Sequence, residues 1–198
     1  MNAELTVGTL ASCELAADPN EVAARLGTGR DYSCEAVERC RERLWEALCC
    51  KYAGFFTEVA YLPDNNLDLG FARFRSESLT RNLKGARRAL VFAVTTGIGV
   101  DRLLLRLSRV SQAEHFITDA LSSAAAEAAC DATQRRLQGD LIGRPRFSPG
   151  YGDLPLGIQP ALLGALRADR TLGITLNDAL LMTPMKSITA IMGICDES

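Results

Sequence analysis

The side chains best suited to ligand chemistry stand close together late in the chain: Glu127, Asp140, Arg146 and Tyr151. Arg146 carries a planar guanidinium whose paired N–H groups match a carboxylate. Tyr151 adds a flat ring with a polar tip, and the two acids upstream can accept from an ammonium or a hydroxyl. Between arginine and tyrosine, Ser148-Pro149-Gly150 would hold the backbone extended, and Gly150, having no Cβ, would let a ligand lie against the main chain. Such a set suits a zwitterion joined to a flat base. Each member also has a plainer reading. Glu127 can be a rim residue reaching water, Asp140 an Asx-type turn cap, and residues 143–155 an Ω-like connecting loop.

Other chemistries have thinner support. Gly97-Ile98-Gly99 follows an apolar run, as in a dinucleotide-binding turn, but Arg102 stands where a third glycine is wanted. A turn in which Asp101 caps the next helix accounts for the same residues. Seven cysteines, an odd number in a chain that can fold without staples, read as reduced thiols. Cys34, Cys40, Cys49 and Cys50 are near one another, yet they form no Cys-x-x-Cys pair, and small buried hydrophobes explain them better than a metal. His115, in the first turn of a helix, reads as a surface residue. Ser148 and Cys195 have no neighbouring activator, which leaves acyl transfer unsupported. Arg81, Lys84, Arg87 and Arg88 read as a solvated face that could meet an acidic protein.

The elements that must position these residues follow from periodicity. A short helix is predicted over 21–26 and a longer one over 34–50, where Val37, Cys40, Leu44, Trp45 and Leu48 recur at three-and-four spacing. Residues 54–61 and 67–75 read as strands joined by the turn chemistry of Pro63-Asp64-Asn65-Asn66, and residues 78–85 as a short capped helix. The continuous apolar run 89–95 is predicted to be a central strand. Ser111 with Glu114 makes a capping box, after which no Gly or Pro occurs until Gly139, so one long helix is predicted over about 111–138. At 100° per residue, Glu127 falls about 20° from Phe116, in the apolar stripe of that helix. Beyond the proline- and glycine-rich stretch 143–155, Asp153 is expected to cap a helix that turns Leu156, Ile158, Leu162, Leu163 and Leu166 inward, with closing strands at 173–176 and 186–194.

With 198 residues, 47% of them apolar, the chain can bury its own core, and the expectation is a single α+β domain over 1–198. A net charge of −2 offers no basic field for nucleic acid. The start Met1-Asn2-Ala3-Glu4 lacks an export signal, and no apolar run approaches the roughly 20 residues that span a bilayer, so a cytoplasmic location is expected and no membrane partner.

Arg146-Phe147-Ser148-Pro149-Gly150-Tyr151 resembles the Arg-x-x-Pro-Gly-Tyr signature of the activation (reactivation) domain of cobalamin-dependent methionine synthase. Gly152-Asp153-Leu154-Pro155-Leu156 with Gln159, and the ending from Met182-Thr183-Pro184-Met185-Lys186 through Ile194, resemble the stand-alone members of that family. Thr95-Thr96-Gly97 with Val100-Asp101, and Ala126-Glu127 with Asp140, extend the resemblance over about 78–194; residues 1–77 match more loosely. Full-length synthases follow the motif tyrosine with Pro-x-Cys-Pro, whereas this chain has Gly152-Asp153-Leu154-Pro155.

The resemblance implies a bent, largely antiparallel mixed sheet with flanking helices. It also implies binding of S-adenosylmethionine (AdoMet) by Glu127, Asp140, Arg146 and Tyr151, with Ser148, Pro149 and Gly150 beside them. The implied role is a reactivation subunit supporting reductive methylation of cob(II)alamin on a separate methionine synthase or other corrinoid protein, with a flavodoxin-like electron donor. The chain holds no Asp-x-His-x-x-Gly, so cobalamin would be carried by that partner. Because the cobalt makes the bond, the missing general base is no objection. The rival expectation is a non-catalytic docking module for a corrinoid protein that has lost AdoMet.

Overall fold

In the computed structural model, which describes residues 4–15 and 34–195, the centre is a five-stranded sheet of order β1-β2-β6-β10-β7. Its strands are β1 (Thr6–Thr9), β2 (Lys51–Glu58), β6 (Arg88–Thr95), β10 (Ser187–Cys195) and β7 (Ile142–Gly143), and every pairing among them is antiparallel. The predicted central strand is β6, and its unbroken apolar run is explained by burial on both faces. Ala89, Val91 and Ala93 share one face with Phe55 and Ile191. Leu90, Phe92 and Val94 share the other with Tyr52, Ala190 and Met192.

The predicted hairpin is in fact split. Residues 51–58 join the main sheet, and β3 (Ala60–Leu62), β4 (Asn66–Asp68) and β5 (Arg73–Arg75) form a separate meander. The closing pair is shorter than expected at its first member: β8 (Thr175–Leu176) pairs with β9 (Met182–Thr183), whereas β10 realises the predicted last strand.

The helices are α1 (Cys34–Ala47), α2 (Glu77–Leu83), α3 (Ile98–Val110), α4 (Gln112–Gln138), α5 (Gln159–Ala165) and α6 (Ala168–Thr171). The helix predicted over 21–26 lies outside the described residues. The long helix is α4, begun by Ser111, whose Oγ accepts from the Glu114 N–H at 3.3 Å, and ended by Gly139 at φ 57°. Glu114 does not close the capping box; its carboxylate instead accepts from Arg43 at 2.8 Å. The first half of α4 packs Ile117 and Leu121 against Cys40 and Leu44 of α1 and Leu103, Leu104 and Leu107 of α3. Its second half lays Ala128, Ala129 and Ala132 on the sheet face that carries Phe92. Alanines suit that contact because short side chains bring a helix axis close to a sheet at no cost in helix propensity.

Asp153 acts at another helix than the sequence suggests. Its carboxylate accepts from Ser76 Oγ at 2.7 Å and from the N–H groups of Glu77 and Ser78 at 2.7 and 3.1 Å, thereby capping α2. The following segment begins instead as a 3-10 turn, Leu156–Ile158, which leaves Leu156 at the surface while Ile158, Leu162, Leu163 and Leu166 are buried. The Ser76 hydroxyl and these N–H groups hold the Asp153 carboxyl well below the ordinary carboxylate range. A depressed carboxyl stabilises the fold fully above its unfolded pKa, near 4, and that stabilisation is lost as the pH falls toward the folded value. Asp153→Asn keeps an acceptor but not the charge. Its Tm should be lower than wild type at neutral pH, and the difference should shrink in thermal melts taken progressively below about pH 4.

Candidate functional site

The α4 helix carries one polar row through its alanines: Asp119, Ser123, Glu127 and Asp131 at four-residue spacing, continued by Gln134. Two cations lie along it. Lys186, at the start of the β10 segment, places Nζ 2.8 Å from Asp119 Oδ1 and 2.8 Å from Ser123 Oγ. Arg146 gives Nη1 to Asp131 and, at 3.0 Å, to Gln134 Oε1, while its Nη2 stands 3.8 Å from Glu127 Oε2. Glu127 is thus held loosely beside Arg146, with 43% of its side chain exposed. Its place among apolar positions is resolved as a rim position. Beneath it, burial pushes the Cys130 thiol up to about 12, so the group stays protonated and is no nucleophile.

The segment that carries Arg146 is fixed to the sheet. Phe147 forms a two-way backbone bridge with Ile191, at 2.9 and 2.8 Å, and Ser148 Oγ donates to the Thr189 carbonyl at 2.8 Å. A turn then closes from Tyr151 N to the Ser148 carbonyl at 3.1 Å, with Gly150 at φ 86° in the left-handed region that favours glycine. Tyr151 stands edge-on to Phe147, with ring centres 5.5 Å apart, and is 71% exposed.

Between this segment, α4 and residues 180–189 lies a cleft of about 560 Å³. Glu127, Ser148, Pro149, Gln159, Met185 and Thr189 are among its walls, and Glu127 is the one charged side chain in them among the described residues. The volume falls in the range of about 300–1,000 Å³ usual for small-molecule sites. Gln159, buried to 3% exposure, ties two walls together: its Oε1 accepts from Thr189 Oγ1 at 3.2 Å and its Nε2 donates to Met182 Sδ at 3.2 Å. Two other hollows lack such convergence. One is bordered, among the described residues, by Glu35, Glu38, Arg39 and Glu42 of α1. The other, bordered by Arg87 and Arg88, is at the far end of the sheet, where Arg88 pairs with Ile194.

Of the residues singled out by sequence, Glu127, Ser148 and Pro149 line the cleft, and Arg146, outside its walls, stands 3.8 Å from the Glu127 carboxylate. Gly150 and Tyr151 follow directly, outside its walls. Asp140 stands apart. Gly139 ends the helix and turns the chain off the 127–131–134 row, leaving Asp140 exposed, neither lining the cleft nor paired with Arg146, and Asp131 occupies the partner position instead. Asp119 and Asp131 could have been found from the four-residue polar repeat they make with Ser123 and Glu127, whereas no local signal marks Gln134 or Lys186 as their neighbours. The Gly97-x-Gly99 turn is filled by protein rather than open to a phosphate: a Cβ at Gly97 would meet the Cys49 carbonyl oxygen at 2.9 Å, and one at Gly99 the Ala47 carbonyl oxygen at 2.4 Å. Asp101 caps nothing and reaches Met185. Among the described residues no three metal-ligating side chains come together, and no helix is long and apolar enough to cross a membrane.

No protein-family model matches the chain, and no curated protein matches its sequence. Among solved structures, the chain is similar to the MetH reactivation domain bound to AdoHcy, with a TM-score of 0.69 at 13% identity over 99% of this chain and 80% of that one. At that identity the likeness is one of fold: a curled antiparallel sheet with flanking helices, one of them long.

Proposed function

We propose that the chain binds AdoMet in the cleft beside Glu127 and serves, as a separate subunit, in the reductive methylation of cob(II)alamin held by a corrinoid partner. The observation that supports this most is the placement of the Arg146–Tyr151 motif. In a fold similar to that of a reactivation domain bound to AdoHcy, Ser148 and Pro149 of the motif line a cleft of small-molecule size in which Glu127 is the one charged wall among the described residues, and Arg146 stands 3.8 Å from that carboxylate. AdoMet has a carboxylate, an ammonium, a sulfonium and a ribose diol. On this reading Nη2 of Arg146, loosely paired with Glu127 at 3.8 Å, would turn to the carboxylate, and Glu127 would accept from a cationic or hydroxyl group. The apolar walls, including Leu181 and Met185, suit the adenine ring.

AdoMet supplies the methyl group, and a flavodoxin-like donor one electron, to the partner's cob(II)alamin, releasing AdoHcy. This chain's own part is to bind the methyl donor, orient its sulfonium toward the partner and keep water from the reacting face. Calorimetric titration with AdoMet and with AdoHcy tests the binding step. Saturable binding is expected, and its absence both alone and with a corrinoid partner present would remove the proposal.

A second reading, a docking module without AdoMet, has one observation in its favour. Arg146 is engaged by Asp131 and Gln134 of the chain's own long helix, so the motif also has a purely structural use. Binding of a corrinoid protein by a chain that takes up no AdoMet would establish it.

A further inference from the structure

We infer that Asp101 and Lys186 are positioning residues for the cleft, holding the wall built by residues 180–187 at the distance its ligand requires. The identity of the ligand rests on the AdoMet reading above; the geometry of the wall does not.

Gln159 holds that wall at Met182, and Ser187, where β10 begins, holds it at Thr95; the stretch between them has less to fix it. Leu180, Leu181, Met182 and Met185 face the cleft, but Leu181 and Met185 are 61% and 62% exposed, so burial contributes little there. Before β10 begins at Ser187, regular structure is confined to the two-residue ladder of β8 and β9. The turn before β9 is internal, with Asn177 Oδ1 accepting from Ala179 and Leu181 N–H at 3.0 and 2.9 Å, and Leu180 lies in the left-handed region at φ 61°. Such contacts shape the turn without fixing it to the rest of the molecule.

Two adjacent residues, Met185 and Lys186, fix that stretch through carboxylates on two helices. The Met185 N–H donates to both oxygens of Asp101, at 2.9 and 3.2 Å, in the first turn of α3. Lys186, only 17% exposed, gives Nζ to Asp119 and Ser123 on α4, each at 2.8 Å. The Lys186 carbonyl also accepts from Thr96 N at 3.0 Å, just beyond β6. Hydrogen bonds to ionised groups are about twice as strong as neutral ones, and these join the strap to α3 and α4. Ser123 lies one turn before Glu127, so the same row of α4 that presents the carboxylate also anchors the wall opposite.

Asp101 could alternatively serve only the α3 N-terminus, where any acid is favourable. The conservative variant separates the two roles: Asp101→Asn loses the charge but keeps an oxygen for Met185, whereas Asp101→Ala loses both. Amide exchange of Met185 followed by NMR, with calorimetric titration of AdoMet, forms the test. Asp101→Ala and Lys186→Met are expected to expose the Met185 amide to exchange and to raise the Kd about ten-fold, and Asp101→Asn to restore most of both. Unchanged Met185 exchange in Asp101→Ala, or an Asp101→Asn variant as impaired as Asp101→Ala, overturns the inference. A wild-type protein that takes up no AdoMet fails the functional reading alone, and Met185 exchange then decides the positioning roles.

Discussion

Arg146→Ala is expected to raise the Kd for AdoMet about ten- to a hundred-fold in calorimetric titration, while the Tm moves little. The size follows from what the guanidinium would do. A hydrogen bond to a charged group contributes about 1.5–3 kcal/mol, and each 1.4 kcal/mol is a factor of ten in affinity. The small change in stability follows from exposure: Asp131 and Glu127 are 53% and 43% exposed, and ion pairs open to water are worth about 0–1 kcal/mol. Arg146→Lys should lie between, because an ammonium can keep one acid but not span Asp131, Gln134 and a ligand as the planar fork does. Equal losses of Tm and affinity in Arg146→Ala would mean that the fork only props the segment against α4. Unchanged affinity would free Arg146 from the site and favour the docking module.

How far the sequence revealed this site depended on how local each interaction is. The β6 strand and the α4 helix were legible because their signals are internal: a run of apolar residues in one, and Ser111, Gly139 and the unbroken stretch between them in the other. The segment around Arg146 was legible as a non-helical loop for the same reason, since Pro149 and Gly150 restrict their own backbone. The errors fall where a side chain acts at long range. Asp153 precedes a helix yet caps one 77 residues earlier in the chain, and Asp101 opens α3 yet binds Met185, 84 residues later. Nothing in the neighbouring residues encodes those partners. Asp131 was missed for a different reason. On a helix whose alanines are buried on nearly every side, a polar residue each fourth position is diluted, and Glu127 looked misplaced instead of belonging to a row.

The sharpest contrast in stability is expected between two helical glycines, and its sign separates packing from propensity. Alanine is about 1 kcal/mol better than glycine inside a helix. Gly164, in α5, has open space where a Cβ would be, so Gly164→Ala should raise the Tm. Gly99 lies in the first turn of α3, where propensity alone argues for the same gain. There, however, a Cβ would stand 2.4 Å from the Ala47 carbonyl oxygen, a backbone atom at the end of α1 that cannot swing aside as a flexible side chain would. The helix must then retreat from α1, disturbing the contacts of Val100 and Leu104 with Leu44. Overpacking of this kind costs about 1–3 kcal/mol, and in a domain of this size each kcal/mol moves the Tm about 2–4 °C. Gly99→Ala should therefore melt several degrees below wild type as Gly164→Ala melts above it. A dinucleotide turn would instead leave the free protein's Tm unharmed by Gly99→Ala and show the damage only on adding NAD. Melting curves of the two variants with and without NAD decide between a glycine kept for a phosphate and one kept because α1 ends against α3.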